Sequence, residues 1–344
     1  VPRFLVRATN WVGDVVMSLP AVRALRASFP KAELLVLARP WVADLYRLLP
    51  EVNGVLVDDA RGAHAGRAGL ERLASELHAK SIDVAFCLPP SFRSAWALFR
   101  ARIPERIGYA GDWRRPLLTK VPGRGDRPGE HQVWKHLRLV EAAGAARPAS
   151  LDATLPVSEA VVARARTLLT QAGWSGEPFL AAHIASFAHA AKRWPLERFA
   201  SVFEAIAERG LPTVLLGSAG ESAMNAEAAR LAPKAKVLDL AGKSTLPEAL
   251  GVLKLARAFV GNDSGVAHLA AAAGAPAVVV FGPTDPQATR PLGEGEGGAA
   301  RVVAVRHAAL CAPCRYRVCP IDHRCMLGST TSSVFAALNG AIGP

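Results

Sequence analysis

Two charged residues stand where a chain of alternating strands and helices would offer them to a ligand. Asp14 closes Thr9-Asn10-Trp11-Val12-Gly13-Asp14, after the apolar run Phe4–Arg7 and before a helical pattern that begins at Val15. Such a turn places a carboxylate at the edge of a cleft, while an ordinary helix N-cap is the plainer alternative. Lys192, in Lys192-Arg193-Trp194-Pro195, follows the apolar run Phe179–His183, and Pro195 suits the first turn of a helix. An ammonium beside a helix amino terminus suits a diphosphate, while a solvated lysine is the plainer alternative. Gly261-Asn-Asp-Ser-Gly265 ends a further run and opens the helix that contains His268, and Phe281-Gly-Pro-Thr-Asp-Pro286 ends the next. Backbone N–H groups and the positive end of that helix favour phosphate, so three strand ends in the second half offer anion-binding chemistry.

Other phosphate and nucleophile patterns fail on their context. Gly293-Glu-Gly-Glu-Gly-Gly298 matches G-x-G-x-x-G, but no apolar strand precedes it and its glutamates would repel a pyrophosphate, so a surface loop is expected. Gly242-Lys243-Ser244 resembles the end of a P-loop, yet the earlier glycine would fall at Val237. Ser264 lies in Asn262-Asp-Ser-Gly265 and not in G-x-S-x-G, which removes a hydrolase elbow.

The elements that must position these residues read as βα units. Phe4–Arg7, Glu33–Ala38, Val55–Asp58 and Val84–Leu88 predict strands, with helices over Val15–Ser28, Val42–Leu49 and Leu70–His78. After a link at Arg147–Pro156, strands are expected at Phe179–His183, Thr213–Leu216, Val237–Leu240, Ala258–Gly261 and Ala277–Phe281. Helices are expected at Leu196–Arg209, Glu221–Leu231, Leu246–Leu255, Gly265–Ala273 and Ser332–Asn339. This rhythm predicts an α/β chain of two doubly wound domains with parallel sheets, facing each other across a cleft. The expected boundaries are 1–156, 157–330 and a terminal helical segment, 331–344, that crosses back toward the first domain.

Composition agrees with a folded two-domain chain: 344 residues, 51% hydrophobic and 20% charged, exceed one ordinary core and exclude disorder. Arg3 and Arg7 stand near the start without a signal-type apolar run, and the longest apolar stretch, Val266–Phe281, is broken by His268, Gly274 and Pro276. A soluble cytoplasmic protein is therefore expected. The net charge of +12 is uneven, since residues 1–150 hold 23 Lys and Arg against 14 Asp and Glu. The remainder holds 18 against 15, so an anionic partner is expected for the first half.

Five segments in order make a resemblance specific: Asn10-Trp-Val-Gly-Asp14, Pro90-Ser-Phe-Arg-Ser94, Lys192-Arg-Trp-Pro195, Asn262-Asp-Ser-Gly-Val-Ala-His268 and Phe281-Gly-Pro-Thr-Asp-Pro286. The set resembles the ADP-heptose:lipopolysaccharide heptosyltransferases of glycosyltransferase family 9, nearest to those that add the second heptose, over nearly the whole chain. The resemblance implies a GT-B fold with the acceptor in the first domain and the ADP-sugar in the second. It also implies an inverting reaction that needs no catalytic metal. By that carry-over Asp14 is the general base and Lys192 stabilises the departing diphosphate. Gly13, Glu221, Asp263, Ser264, Gly265 and His268 are expected donor contacts, Glu221 at the ribose. Ser91, Arg93, Ser94 and Arg106 are expected on the acceptor side, with Arg114 and Arg115 as further basic candidates.

The implied partners are ADP-heptose and the anionic inner core of lipopolysaccharide, with peripheral contact at the cytoplasmic face of the inner membrane. No nucleic acid is expected; a basic nucleic-acid-binding protein is the alternative of another class, carried only by the net charge. One departure concerns the donor side. Family members carry a Pro-Gly-Ala type turn where this chain reads His183-Ile-Ala-Ser-Phe187, with His189 shortly after. Cys311, Cys314, Cys319 and Cys325 cluster with His307 and His323 nearby, a spacing that suggests a structural zinc over disulfides, with packed reduced thiols as the other reading. Cys87 is expected in the core.

Overall fold

The computed structural model describes residues 1–123, 125–186, 189–293, 301–314 and 316–342. The chain divides into two compact units, Val1–Ala153 and Thr154–Pro344. Apart from Gly293, the Gly293–Gly298 segment lies outside the described residues, as does Phe187 of the departing turn.

In the first unit β1 (Arg3–Arg7), α1 (Val12–Ser28), β2 (Glu33–Ala38), α2 (Pro40–Arg47) and β3 (Gly54–Val57) alternate in the expected order. They are followed by α3 (Gly66–His78), β4 (Val84–Cys87), α4 (Phe92–Arg100), β5 (Glu105–Gly108) and α5 (Val133–Glu141). The strands are short and almost wholly apolar because both faces of the sheet are covered, as in Leu34–Leu37 of β2, all buried. They pair in parallel in the order β3-β2-β1-β4-β5. The order reverses between β1 and β4, where Arg7 lies opposite Cys87. In a doubly wound sheet that reversal opens a crevice at the carboxyl ends of the strands. The segments after β1 and β4 are those that carry Asp14 and Arg93.

The second unit runs α6 (Glu159–Gln171), β6 (Leu180–His183), α7 (Leu196–Ala207), β7 (Thr213–Leu215), α8 (Ser222–Leu231), β8 (Val237–Asp239) and α9 (Leu246–Leu255). It continues with β9 (Ala258–Asn262), α10 (Gly265–Ala273), β10 (Ala277–Phe281), α11 (Pro286–Thr289), β11 (Val302–Arg306), α12 (Arg324–Leu327) and α13 (Thr331–Ile342). Its six parallel strands are ordered β11-β10-β9-β6-β7-β8, so the reversal falls between β6 and β9. His183 and the Asn262–Ser264 segment therefore end neighbouring strands at the switch point.

Two differences from the sequence reading have physical causes. β5, α4, α5, α6 and β11 were not expected, because their patterns are short or, as in α4, interrupted by outward aromatic residues that blur the helical period. The terminal helix, expected to cross back to the first domain, instead packs on the sheet of its own unit against β10, β11 and α7. Val334 and Leu338 are fully buried there beside Val278 and Val280, so an apolar stripe decides where α13 docks.

The approach of β9 to β6 leaves no room for a side chain at Gly261. A Cβ there would lie 2.7 Å from the His183 carbonyl oxygen and 2.8 Å from the Phe259 ring. Gly261→Ala is expected to cost about 1–3 kcal/mol by overpacking, read as a lower melting temperature in calorimetry. An unchanged melting temperature would show that β6 and β9 have slack at their ligand end.

Candidate active site

Lys192 is carried by a 3-10 turn, Ala190–Lys192, in the segment between β6 and α7. That turn is fixed by the side chain of Asn262 at the end of β9. Asn262 accepts from the Trp194 backbone N–H at 2.9 Å and donates to the Ile184 carbonyl at 2.7 Å, so one buried amide ties the lysine segment to both central strands. Trp194 anchors it from below: its indole is buried, lies edge-on to Phe199 at 4.9 Å, and donates to the Ser329 carbonyl at 2.8 Å. The Lys192 ammonium then stands 2.7 Å from Asp263 Oδ2, and the same oxygen accepts from the Thr284 hydroxyl at 2.7 Å. The strand ends of β6, β9 and β10 thus meet at one carboxylate.

Beside this pair begins α10. Its N-cap residue, Ser264, is extended and makes no side-chain cap. The hydroxyl turns instead to His183 Nδ1 at 2.9 Å, and His183 Nε2 lies 3.5 Å from Glu221 Oε2. Gly265 is the first residue of the helix and His268 is buried one turn further along. Because the Ser264 side chain faces away from the helix, the first-turn N–H groups of α10 are not closed by it, which leaves the positive end of the dipole to an anion.

Glu221 reaches this network through a tight turn, with the Ser218 N–H donating to Oε2 at 2.6 Å. Burial alone would raise its carboxyl. The His183 hydrogen bond and charge together with the Ser218 contacts overcome that and lower it to about 2 from an ordinary 4.5. Of the donor residues named from the sequence, Asp263, Ser264, Gly265, His268 and Glu221 are therefore gathered at one edge of the second sheet with Lys192, whereas Gly13 lies in α1 of the first unit. His183, Thr284 and Asn262 were missed as side chains, although a histidine and an asparagine closing apolar strands are the signal that could have found them.

In the first unit, Asp14 is not the N-cap of α1. Trp11 holds that position without a side-chain cap, and Asp14 is the third residue of the first turn, half-buried, with Gly13 buried before it. Capping in the strict sense thus does not account for the carboxylate.

Around the same edge an arginine cluster forms that the sequence reading saw only through Arg93. Asp58, buried after β3, meets Arg39 Nη1 at 3.0 Å and Arg7 Nη2 at 3.3 Å through one oxygen, and Arg93 Nη2 at 3.2 Å through the other. Arg93 also donates to the His64 carbonyl at 2.8 Å, and its buried Nε has no hydrogen-bond partner. Arg7 is 1% exposed and lowered to about 10. Burial is the main cause; Asp58 opposes it, while Arg39 and Arg93 push the same way. Three guanidiniums around one carboxylate leave the edge with unmatched positive charge, the condition of an anion site.

The remaining acceptor candidates separate. Ser91 is the N-cap of α4, accepting from Ser94 N–H at 3.4 Å with the two hydroxyls 2.8 Å apart, so both serve the helix start. Arg106 lies on β5 with its side chain bonded to the Leu117 carbonyl at 2.7 Å, and the structure does not bring it to the Asp58 cluster. Arg114 is fully buried against the Tyr109 and Pro89 carbonyls and is structural, whereas Arg115 is exposed.

The four cysteines share a neighbourhood but not a centre. Cys325 is buried beside Gly282, and its thiol is raised, first by burial and then by the charges of Cys311, Cys314 and Cys319. Cys319 Sγ accepts from the His323 N–H at 3.3 Å. Among the described residues no group of three or more His, Cys, Asp or Glu side chains is arranged to hold a metal ion. The expected four-thiolate zinc site is therefore not formed by these side chains, and no role is derived from it. Cys87 is buried, as expected.

Comparison with known proteins follows the same lines. The glycosyltransferase family 9 (heptosyltransferase) model matches residues 70–324. Lipopolysaccharide heptosyltransferase 2 of Escherichia coli K12 is 32% identical over 304 residues, covering 84% of this chain and 85% of that protein. The Salmonella typhimurium protein of that name is 32% identical over 310 residues, with the same coverage. Among solved structures, E. coli ADP-heptose lps heptosyltransferase II superposes with a TM-score of 0.81 at 27% identity, over 99% of this chain and 98% of that one. A family 9 glycosyl transferase from Veillonella parvula shares the fold with a TM-score of 0.87 at 22% identity, over 99% of this chain and 97% of that one.

Two measurements check the electrostatics. The lowered Glu221 carboxyl contributes stability that is complete above about pH 4.5 and is lost as pH falls toward about 2. Wild type should therefore exceed Glu221→Gln in denaturant stability near neutral pH, with the gap shrinking at about pH 3; a pH-independent gap would contradict the assignment. Asp58→Ala leaves three guanidiniums uncompensated and should lower the unfolding free energy by about 3–5 kcal/mol in urea denaturation. A loss under about 1 kcal/mol would mean the cluster is solvent-screened.

Proposed function

Because this chain belongs to glycosyltransferase family 9, we propose that it moves heptose from ADP-heptose to the inner core of lipopolysaccharide, adding the second heptose by a single inverting displacement. The observation that carries this reading is the Lys192–Asp263 pair, 2.7 Å apart, beside the open amino terminus of α10. An ADP leaving group gains negative charge as the anomeric C–O bond breaks, and interactions that strengthen with that charge lower the barrier. The ammonium and the α10 N–H groups are set in place before the reaction, which supports a transfer without a divalent ion. Asp263, itself held by the Thr284 hydroxyl, holds the ammonium, and Glu221 is the group for the ribose hydroxyls.

Asp14 takes the proton of the acceptor hydroxyl as its oxygen attacks the anomeric carbon from the side opposite the diphosphate. One carboxylate is enough, since no covalent sugar intermediate forms. The logic is that of an inverting glycosidase with a sugar hydroxyl in place of water. Arg93 and Arg39, which keep part of their surface open beside Asp58, suit the acidic groups of an inner-core acceptor. No helix among the described residues is long and apolar enough to cross a membrane. A lipid-linked acceptor is then reached by peripheral contact at the cytoplasmic face of the inner membrane.

With ADP-heptose and a heptosylated lipid-free acceptor, wild type should release ADP in the presence of EDTA. Asp14→Ala should lower turnover by roughly 100-fold or more while keeping its thermal stabilisation by ADP. Lys192→Ala should reduce both. Undiminished turnover in Asp14→Ala would remove the base, and a strict divalent requirement would remove the metal-free step.

A further inference from the structure

We propose that the outward face of α4, with Trp113 beside it, is the surface by which this protein rests on an anionic phospholipid bilayer. The proposal deepens the reading above, in which the acceptor is lipid-linked, and names the face that meets the lipid. A helix covering a parallel sheet ordinarily turns polar residues outward. α4 buries Ser94, Ala95, Ala97 and Leu98, yet it also carries the exposed Phe92 and Phe99, joined through Trp96, which packs in part against the core. The rings of Phe92 and Trp96 stack at 5.7 Å and those of Trp96 and Phe99 lie 5.8 Å apart. Phe92 and Phe99 are each 40% exposed, and Trp113 is 93% exposed.

Trp113 adjoins this row because Asp112 accepts a hydrogen bond from the Phe92 backbone N–H. Asp112 and Trp113 both take left-handed φ angles, 47° and 56°, which cost a bulky side chain energy. The indole is thus held outward on a constrained turn.

Charge selects the occupant. The Arg106 guanidinium lies over the Phe99 ring at 5.5 Å, and Arg102 and Arg115 are exposed in the same stretch of chain, with Arg100 paired to Glu71. Residues 1–150 carry the basic excess, 23 Lys and Arg against 14 Asp and Glu. Indole and phenyl rings bordered by arginines match the interfacial zone of an anionic leaflet, with rings among the glycerol backbones and guanidiniums on the phosphates. The Arg93 side chain, from the first turn of the same helix, reaches Asp58 instead, so α4 joins the lipid-facing surface to the anion cluster.

The test is co-sedimentation of the full chain with phosphatidylcholine vesicles, with and without phosphatidylglycerol. Wild type should partition onto the anionic vesicles, and less so at high salt. The double variant Phe99→Ser, Trp113→Ser should bind them roughly tenfold more weakly while turning over a lipid-free acceptor as wild type does, which also shows that it is folded. Equal partitioning of wild type and variant, or no preference for anionic vesicles, overturns the proposal. So does a wild-type dimer that the variant converts to monomer without a change in lipid binding, since the face would then be an interface between copies. Wild type that binds the vesicles but releases no ADP with any acceptor supports the surface and overturns the transferase reading.

Discussion

The contact between Lys192 and Asp263 sets the terms for the second unit. A flexible ammonium free in water stabilises a departing diphosphate weakly, because its solvent shell must reorganise as charge develops. Fixing it needs a carboxylate, and the carboxylate must itself be fixed. The chain does this with strand ends: Asp263 follows β9, Thr284 follows β10 and bonds the same oxygen, and Asn262 locks the Lys192 segment to the end of β6. Each of those residues is placed by the parallel pairing of β6, β9 and β10 and by the absence of a side chain at Gly261. The fold and the electrostatics therefore have one cause in common, the register of three neighbouring strands.

The strand rhythm was legible in the sequence because buried parallel strands are short apolar runs. β2, β10, α9 and α10 were predicted with their observed bounds. The polar side chains that join strands were not legible. Nothing in the pattern says that His183 bridges Ser264 and Glu221, since those residues are 81 and 38 positions away and meet only through the β6–β9 pairing and the turn after β7. Asp58 was read as the last residue of a strand, and its role as a hub depends on Arg7 and Arg93 from other βα units. Arg106 stays away from the Asp58 cluster for the converse reason. It comes on a strand near basic neighbours, and its guanidinium donates to the Leu117 carbonyl while lying over the Phe99 ring.

The same distinction separates the cysteines from the phosphate-binding segments. A spacing rule for metal ligands presumes that the loop between them closes on itself. Here Cys325 is drawn into the core next to Gly282 by Met326 and the packing of α12, while Cys314 is held by its N–H on the Pro283 carbonyl. Backbone contacts to β10 decide where those thiols go, and no count of residues between them reports that.

The two sheet edges differ in how their charges are paired. At the edge of the second unit the Lys192 ammonium is paired with Asp263, and His183 Nε2 stands 3.5 Å from Glu221 Oε2. At the edge of the first, Arg7, Arg39 and Arg93 converge on Asp58, with Asp59 also acting on Arg39. An arginine-rich edge suits a partner bound through several fixed negative charges, to which the part-exposed Arg39 and Arg93 give directional contacts. Part of the uneven charge along the sequence is thus a structural property, since Arg7, Arg39 and Arg93 meet at the switch point of the first sheet, where the strand order itself opens a place for an anion.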